Sequence, residues 1–192
     1  LEYYSLNVIK NLLEQHNLKI IDVVFNKING GSFSVVASHK NSKYKSNNTI
    51  INWMLSQEMR MNLHTPTPYR EFEKRAYSHK YDLTELIDSI NNSGKKIAGY
   101  GASTKGNVIL QFCNLRKKDI YGIAEINEDK FGKFTPGSKI PITSEQNIKE
   151  TNPDYMLVLP WHFREGIVRR EKEYLQNGGK LIFPLPEIEI VG

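Results

Sequence analysis

The stretch Gly99-Tyr-Gly-Ala-Ser-Thr-Lys-Gly-Asn107 decides the fold of the second half of this chain. It follows a short apolar run that begins at Ile97, and it opens a segment with helical spacing that reaches about Asn114. A strand, a glycine-rich turn and a helix in this order typically form the first unit of a doubly wound sheet. In such sheets ligands bind beyond the carboxyl ends of the strands. The stretch therefore predicts an α/β fold with a binding site in the turn.

Strand and helix patterns alternate through the rest of the chain. Apolar runs predict strands at 120–125, 155–159 and 180–184, and helical spacing predicts helices at 144–150 and 163–176. Repeated strand–helix units favour a parallel sheet with helices on both faces. We therefore predict a Rossmann-like parallel sheet flanked by helices.

The first part of the chain has a different pattern. A helix is predicted from Tyr3 to Asn17, followed by strands at 18–25 and 33–37 that form a hairpin around the turn Asn29–Gly31. One helix and two strands are too little for a stable domain. The predicted domains are thus a tail of a larger domain at 1–39, a linker with a short helix at 40–68, and a Rossmann-like domain at 69–192.

Composition excludes several classes of protein. The chain has 192 residues and a net charge of +5, but its lysines are scattered, so we expect a small phosphorylated ligand rather than nucleic acid. No apolar run reaches the ~18–20 residues of a membrane span. The single cysteine, Cys113, precludes an internal disulfide and makes a cysteine-based zinc site unexpected, and we predict no metal. We expect a cytoplasmic protein, because no signal peptide is evident.

The glycine-rich turn has three interpretations. Gly99 and Gly101 match the start of a dinucleotide-binding pattern, and Glu125 lies 24 residues after Gly101, roughly where a ribose-binding carboxylate belongs. The third glycine, however, stands at 106 and not at 104. The second interpretation is a site for a phosphate of another ligand, to which Lys105 would add a positive charge. The third is a tight turn that only packs helix on strand.

Two further segments follow predicted strands. The loop 127–141 is longer than a plain connection needs, and Lys130, Lys133 and Lys139 could face an anion. Trp161 could stack on a ring, and His162 could act as an acid or base, although such a histidine more often caps a helix or meets solvent.

Six short strings in this chain occur in one order that resembles a known family. They are Tyr3-Tyr-Ser-Leu6, Gly30-Gly-Ser32, Gly99-Tyr-Gly-Ala-Ser-Thr-Lys-Gly-Asn107, Phe134-Thr-Pro-Gly137, Ile140-Pro-Ile142 and Leu159-Pro-Trp161. Together they are similar to the C-terminal halves of SAM-dependent C-methyltransferases that act on nucleotide-diphosphate keto-sugars. The resemblance covers nearly the whole chain, and no single string would carry it alone.

The resemblance implies that SAM and the sugar nucleotide are bound by different parts of the enzyme. In that family a zinc-binding segment and a class I methyltransferase domain, which binds SAM, precede a Rossmann-like domain, and the sugar nucleotide lies between them. Residues 1–39 would be the last helix and hairpin of the methyltransferase domain. The family's Glu-His acid–base pair stands directly before the string that starts at Leu1. We therefore expect this chain to hold neither the SAM site nor a catalytic residue, and to be inactive alone.

The residues expected to bind substrate follow from the turn and from the resemblance. They are Gly101, Ala102, Ser103, Thr104, Lys105, Gly106, Asn107, Lys133 and Trp161, with Gly31 and Ser32 contributed from the methyltransferase side. The alternative is a stand-alone Rossmann-type module that binds NAD. The sequence leaves the sugar, the carbon atom, the nucleotide and the oligomeric state open.

Overall fold

The computed structural model describes residues 3–28 and 31–192. It divides into two compact units, Leu1–Lys74 and Arg75–Gly192.

The first unit contains two helices and a hairpin. Its elements are α1 (Leu6–Gln15), β1 (Leu18–Asn26), β2 (Ser32–His39) and α2 (Asn48–Arg60). The strands β1 and β2 pair antiparallel from Leu18 opposite His39 to Asn26 opposite Ser32. Of the predicted turn at the tip, Asn29 and Gly30 lie outside the described residues.

A small apolar core and a buried carboxylate hold this unit together. Leu6, Ile20, Val23, Ile51 and Met54 form the core, so α2, which falls within the predicted linker 40–68, packs on the hairpin. Glu58 of α2 is buried and accepts hydrogen bonds from the backbone N–H groups of Leu6 and Asn7, the latter at 2.9 Å. These N–H groups have no partner inside α1, so Glu58 supplies the acceptor that a helix start requires.

The second unit is built on a six-stranded sheet. Its strands are β3 (Ile97–Tyr100), β4 (Ile123–Glu125), β5 (Ile142–Ser144), β6 (Tyr155–Val158), β7 (Lys180–Phe183) and β8 (Glu189–Val191). They lie in the order β5-β4-β3-β6-β7-β8, and all neighbours are parallel except β7 and β8. The predicted Rossmann-like parallel sheet is thus confirmed, with an antiparallel edge strand that the sequence did not indicate.

Helices cover the sheet. They are the C-terminal part of α3 (Thr67–Asn92), α4 (Thr104–Phe112), α5 (Glu145–Glu150), α6 (Arg164–Arg170) and α7 (Lys172–Gln176). The single helix predicted at 163–176 is in fact two, because the chain bends at Glu171. The side chain of Glu171 is buried, accepts a hydrogen bond from the Tyr100 hydroxyl at 3.0 Å and pairs with the Lys149 ammonium at 2.7 Å.

Alternate residues of the central strands fill two cores, one on each face of the sheet. Ile97 joins one core with Leu110 and Ile123, whereas Ala98 and Tyr100 join the other. This alternation is the side-chain period of a strand. Cys113 is 3% exposed in the first core, and burial raises the pKa of its thiol, which fits a packing role. In the described part of the chain, no helix is long and apolar enough to cross a membrane.

Candidate functional site

The order of the strands places one crevice at the centre of the sheet. From β3 the chain continues to β4 and β5 on one side, and from β6 it continues to β7 and β8 on the other. After β3 and after β6 the chain therefore continues in opposite directions along the sheet. The crevice between the two turns, at the carboxyl edge, is where doubly wound sheets bind ligands. Gly101 has a φ of +77°, and a side chain there would come within 3.0 Å of the Pro160 ring. A glycine is thus required where the two turns meet.

Ser103 and Gly106 fix the start of α4 against the end of β6. The Ser103 hydroxyl accepts a hydrogen bond from the Gly106 N–H at 2.9 Å and donates one to the Leu159 carbonyl at 3.1 Å. A Cβ on Gly106 would overlap the Cβ of Leu159. Ser103 and Gly106, both predicted to bind substrate, therefore also have a structural role. They pack helix α4 on the end of β6, as the tight-turn interpretation expects.

The first turn of α4 nevertheless presents free donors. Thr104 and Lys105 are exposed, and among the described residues their backbone N–H groups have no acceptor. The N-terminus of a helix attracts anions because such N–H groups and the helix dipole point outward. Asn107 lies in the same turn, and its buried Oδ1 atom has no hydrogen-bond partner in the described chain.

The turn after β6 brings two more side chains to this place. Burial lowers the pKa of His162, and the positive charge of Lys105 lowers it further. Trp161 is half-buried against the core and lies edge-on to His162, with 6.1 Å between the ring centroids. Lys105 follows β3 and the two rings follow β6, so all three lie at the same carboxyl edge.

Glu125 joins the turn after β3 to the turn after β4. Its Oε2 atom accepts hydrogen bonds from the Ala102 N–H at 2.9 Å and from Lys130 Nζ at 3.0 Å. Its Oε1 atom accepts from the N–H groups of Ile126 at 2.9 Å and Asn127 at 3.1 Å. Burial favours a raised pKa, but the hydrogen bonds from these donors outweigh it and hold the pKa of Glu125 below its ordinary value.

These contacts bear on the dinucleotide interpretation. A carboxylate at this position binds a ribose by accepting hydrogen bonds from its hydroxyls. Both oxygens of Glu125 already have two donors each, and its side chain is 8% exposed. A ribose would have to displace the donors that hold the turn together. Glu125 therefore has a structural role, although its place in the sequence matches the dinucleotide pattern.

A cleft of about 340 Å³ opens at this edge. We call it the carboxyl-edge cleft. It is lined by Tyr100, Gly101, Ala102, Ser103, Ala124, Glu125, Ile126, Lys130, Glu145, Pro160, Phe163, Gly166, Ile167 and Arg170. Its volume lies at the lower end of the ~300–1,000 Å³ that small-molecule sites span.

Charged side chains of both signs stand around the cleft. Lys130 pairs with Glu125 and also donates a hydrogen bond to the Ala102 carbonyl at 3.0 Å. Arg170 pairs with Glu145, and its guanidinium lies 6.0 Å from the centre of the Tyr100 ring. Lys130 keeps 40% of its side chain exposed and Arg170 keeps 47%, so both cations remain accessible to a ligand.

The loop 127–141 is folded back on α4. Gln111 donates a hydrogen bond to the Pro136 carbonyl at 3.1 Å, and Arg116 donates one to the Gly137 carbonyl. Lys133 is exposed on this loop and is not among the residues that line the carboxyl-edge cleft. The string Thr-Pro-Gly at 135–137 thus has a structural explanation.

The remaining predicted residues belong to the first unit. Gly31 has a φ of +132° and is exposed, and the Ser32 hydroxyl donates a hydrogen bond to the Ile28 carbonyl at 2.9 Å. Both shape the end of the hairpin.

Sequence reasoning missed several residues that line the cleft, among them Ile126, Glu145, Phe163 and Arg170. Ile126 and Phe163 directly follow predicted strands or turns, so their position at the carboxyl edge was a usable signal. Glu145 and Arg170 lie inside predicted helices and carried no such signal. Within the described ranges 3–28 and 31–192, no cluster of three or more His, Cys, Asp or Glu side chains could hold a metal ion.

Comparisons with known proteins agree with the resemblance in the sequence. Residues 27–186 match the family described as the C-methyltransferase C-terminal domain. The chain is 35% identical over 189 residues to the C-methyltransferase NovU of Streptomyces niveus. The alignment includes 98% of this chain and 45% of NovU, so the chain spans a little under half the length of that relative.

Proposed function

Because the chain belongs to the family of C-methyltransferase C-terminal domains, we propose that it is the acceptor-binding part of a SAM-dependent C-methyltransferase. The proposed acceptor is a nucleotide-diphosphate keto-sugar. The chain binds the phosphates and thereby positions the sugar for methylation. The chemistry of the carboxyl edge supports this role.

The free donors at the start of α4 are the observation that carries the proposal. The N–H groups of Thr104 and Lys105 have no acceptor among the described residues, and Lys105 adds a full positive charge beside them. A diphosphate brings negative charge and several acceptor oxygens to such a place. His162, in the turn after β6, lies at the same carboxyl edge.

The donors at the start of α4 suit a diphosphate better than SAM. SAM carries a positively charged sulfonium and no phosphate, whereas the free N–H groups and Lys105 favour negative charge. We therefore assign SAM, which supplies the methyl group, to the part of the enzyme that corresponds to the unmatched 55% of NovU. The base that deprotonates the carbon next to the keto group is assigned there too.

In this proposal, the chain contributes to the reaction rate by positioning the acceptor. Holding an acceptor in reactive geometry converts a bimolecular step into an effectively unimolecular one. The donors of α4 do not need to move protons for this purpose, and no residue of this chain is proposed to be catalytic.

Calorimetry on the 192-residue chain tests the proposal. It is titrated separately with a dTDP-sugar, a GDP-sugar, NAD and SAM. We expect one of the sugar nucleotides to bind and NAD and SAM not to bind. Binding of NAD without any sugar nucleotide would support a stand-alone NAD module instead, and binding of SAM would contradict the assigned division of the enzyme.

A further inference from the structure

We infer that the carboxyl-edge cleft is the subsite for the nucleobase of the bound nucleotide, with Phe163 and Ile126 as the apolar contacts to the faces of the base. The inference rests on the proposed function and adds to it the place and the chemistry of one part of the ligand. Its two contact residues, Phe163 and Ile126, lie outside the glycine-rich turn.

Two large apolar side chains are left exposed at this cleft. Ile126 is 66% exposed and Phe163 is 63% exposed, yet both line the cleft. Each follows a strand of the sheet, Ile126 after β4 and Phe163 after the end of β6. Covering them with a planar ring removes apolar surface from water, and the Phe163 ring offers a face on which a base can stack.

The inner wall of the cleft suits a flat ligand. Gly101, Ala102 and Ala124 line it with small side chains, so a ring can come close to the backbone. Pro160 and Ile167 complete the apolar part of the wall. Such a wall leaves room for the flat ring between Phe163 and Ile126, and stacking there tolerates any base because every base has a π-face.

The cleft borders the start of α4. Ser103 lines the cleft and also caps α4, one residue before the free N–H groups of Thr104 and Lys105. A nucleotide joins an apolar planar base to a diphosphate, so its two parts match two adjacent surfaces. Lys130 and Arg170 stand at the rim, where the polar edge of a base or a ribose would meet them.

Alanine variants of the two apolar side chains test this subsite. Phe163→Ala, Ile126→Ala and the control Phe134→Ala are prepared in the 192-residue chain. Phe134 is 62% exposed, which matches Phe163, but it is not among the residues that line the cleft. Each variant is titrated with dTDP, GDP and inorganic diphosphate.

We expect Phe163→Ala to weaken binding of the preferred nucleoside diphosphate by roughly 5- to 100-fold, the range for loss of a base-stacking side chain. Ile126→Ala should weaken it less, and neither variant should change the affinity for inorganic diphosphate. Phe134→Ala should change neither affinity. In the unmodified chain, we also expect NMR to detect short distances between base protons and the Phe163 ring.

Other outcomes separate this inference from the proposed function. If a nucleoside diphosphate binds and neither variant weakens it, the base lies elsewhere and the inference is wrong, while the proposed function stands. If the variants weaken inorganic diphosphate as much as the nucleotide, the cleft does not contact a base. If the unmodified chain binds neither nucleoside diphosphates nor sugar nucleotides, the proposed function fails and the inference fails with it.

Discussion

The carboxylate of Glu125 accepts a hydrogen bond from the backbone N–H of Ala102, with 2.9 Å between oxygen and nitrogen. This bond links the residue that ends β4 to the turn that follows β3. Lys130 strengthens the link, because its ammonium bonds both the Glu125 carboxylate and the Ala102 carbonyl. Glu125 and Lys130 therefore fix the position of the turn after β3, which lies at the centre of the candidate site.

Replacing Glu125 tests this link. Glu125→Gln keeps the shape but turns one acceptor oxygen into an NH₂ donor that faces other donors. We expect a loss of about 1–3 kcal/mol in the free energy of unfolding, measured in urea. The matched control is Glu128→Gln, an exposed residue of the next turn, which should change the stability by less than about 0.5 kcal/mol.

The pKa of Glu125 adds a dependence on pH. Because the pKa is lower in the folded protein than its ordinary value, the ionised carboxylate stabilises the fold above the unfolded pKa of about 4.3. This contribution is lost as the pH falls through the lower, folded pKa. The stability difference between the unmodified chain and Glu125→Gln should thus be constant above about pH 5 and narrow below about pH 4. A difference that grows on acidification would contradict the assignment.

Gly106 should not tolerate a side chain. A methyl group there overlaps Leu159, so Gly106→Ala must push α4 away from the end of β6. We expect a cost of about 1–3 kcal/mol in thermal or urea unfolding. Gly166→Ala is the control, since that glycine lies in α6 with no neighbouring atom within 4 Å, and alanine there should be neutral or stabilising by up to about 1 kcal/mol. If the two variants were equally stable, a methyl group at position 106 would not crowd Leu159.

Glu58 should protect the start of α1. Glu58→Ala removes the acceptor of the Leu6 and Asn7 N–H groups, and we expect a loss of about 1–3 kcal/mol. Hydrogen exchange gives the sharper readout, because the amides of Leu6 and Asn7 should exchange much faster in the variant. Glu71→Ala, an exposed glutamate, serves as the control. Unchanged exchange at Leu6 would contradict the role given to Glu58.

Lys105 should contribute to nucleotide affinity. Lys105→Ala should weaken binding of the sugar nucleotide by about 1–3 kcal/mol, the scale of a charge-assisted hydrogen bond. Lys117→Ala removes the same charge from an exposed position after α4 and should leave the affinity unchanged. Lys105→Ala should also raise the pKa of His162, measured by NMR, because the lysine charge is one cause of its lowered value. If Lys105→Ala left the affinity for the sugar nucleotide unchanged, the glycine-rich turn would have only a structural role.

The sequence predicted those features that depend on local patterns. The strand at Ile97–Tyr100, the glycine-rich turn and the helix after it follow from apolar spacing and from small residues, and the structure has them where expected. Position after a strand also predicted that Lys105 and Trp161 would come to one edge. Local patterns are enough for these features because parallel strands share one carboxyl edge.

Features that depend on distant partners were not predicted. The sequence suggested Glu125 as a ribose ligand, but one of its donors, the Ala102 N–H, is brought to it only by the folded sheet. Glu171, where α6 gives way to α7, likewise accepts a hydrogen bond from Tyr100, 71 positions earlier in the chain. Arg170 and Glu145 lie in helices with ordinary surface composition, so nothing in their sequence marked them as cleft residues.

Whether the start of α4 holds the nucleotide can be read from NMR mapping of the bound ligand. Backbone amide signals of the 192-residue chain are recorded with and without a saturating nucleoside-diphosphate sugar. We expect the largest shifts at Thr104 and Lys105, whose N–H groups gain an acceptor, with further shifts at Ile126 and Phe163. Shifts confined to other parts of the chain, with Thr104 and Lys105 unchanged, would contradict this placement of the nucleotide.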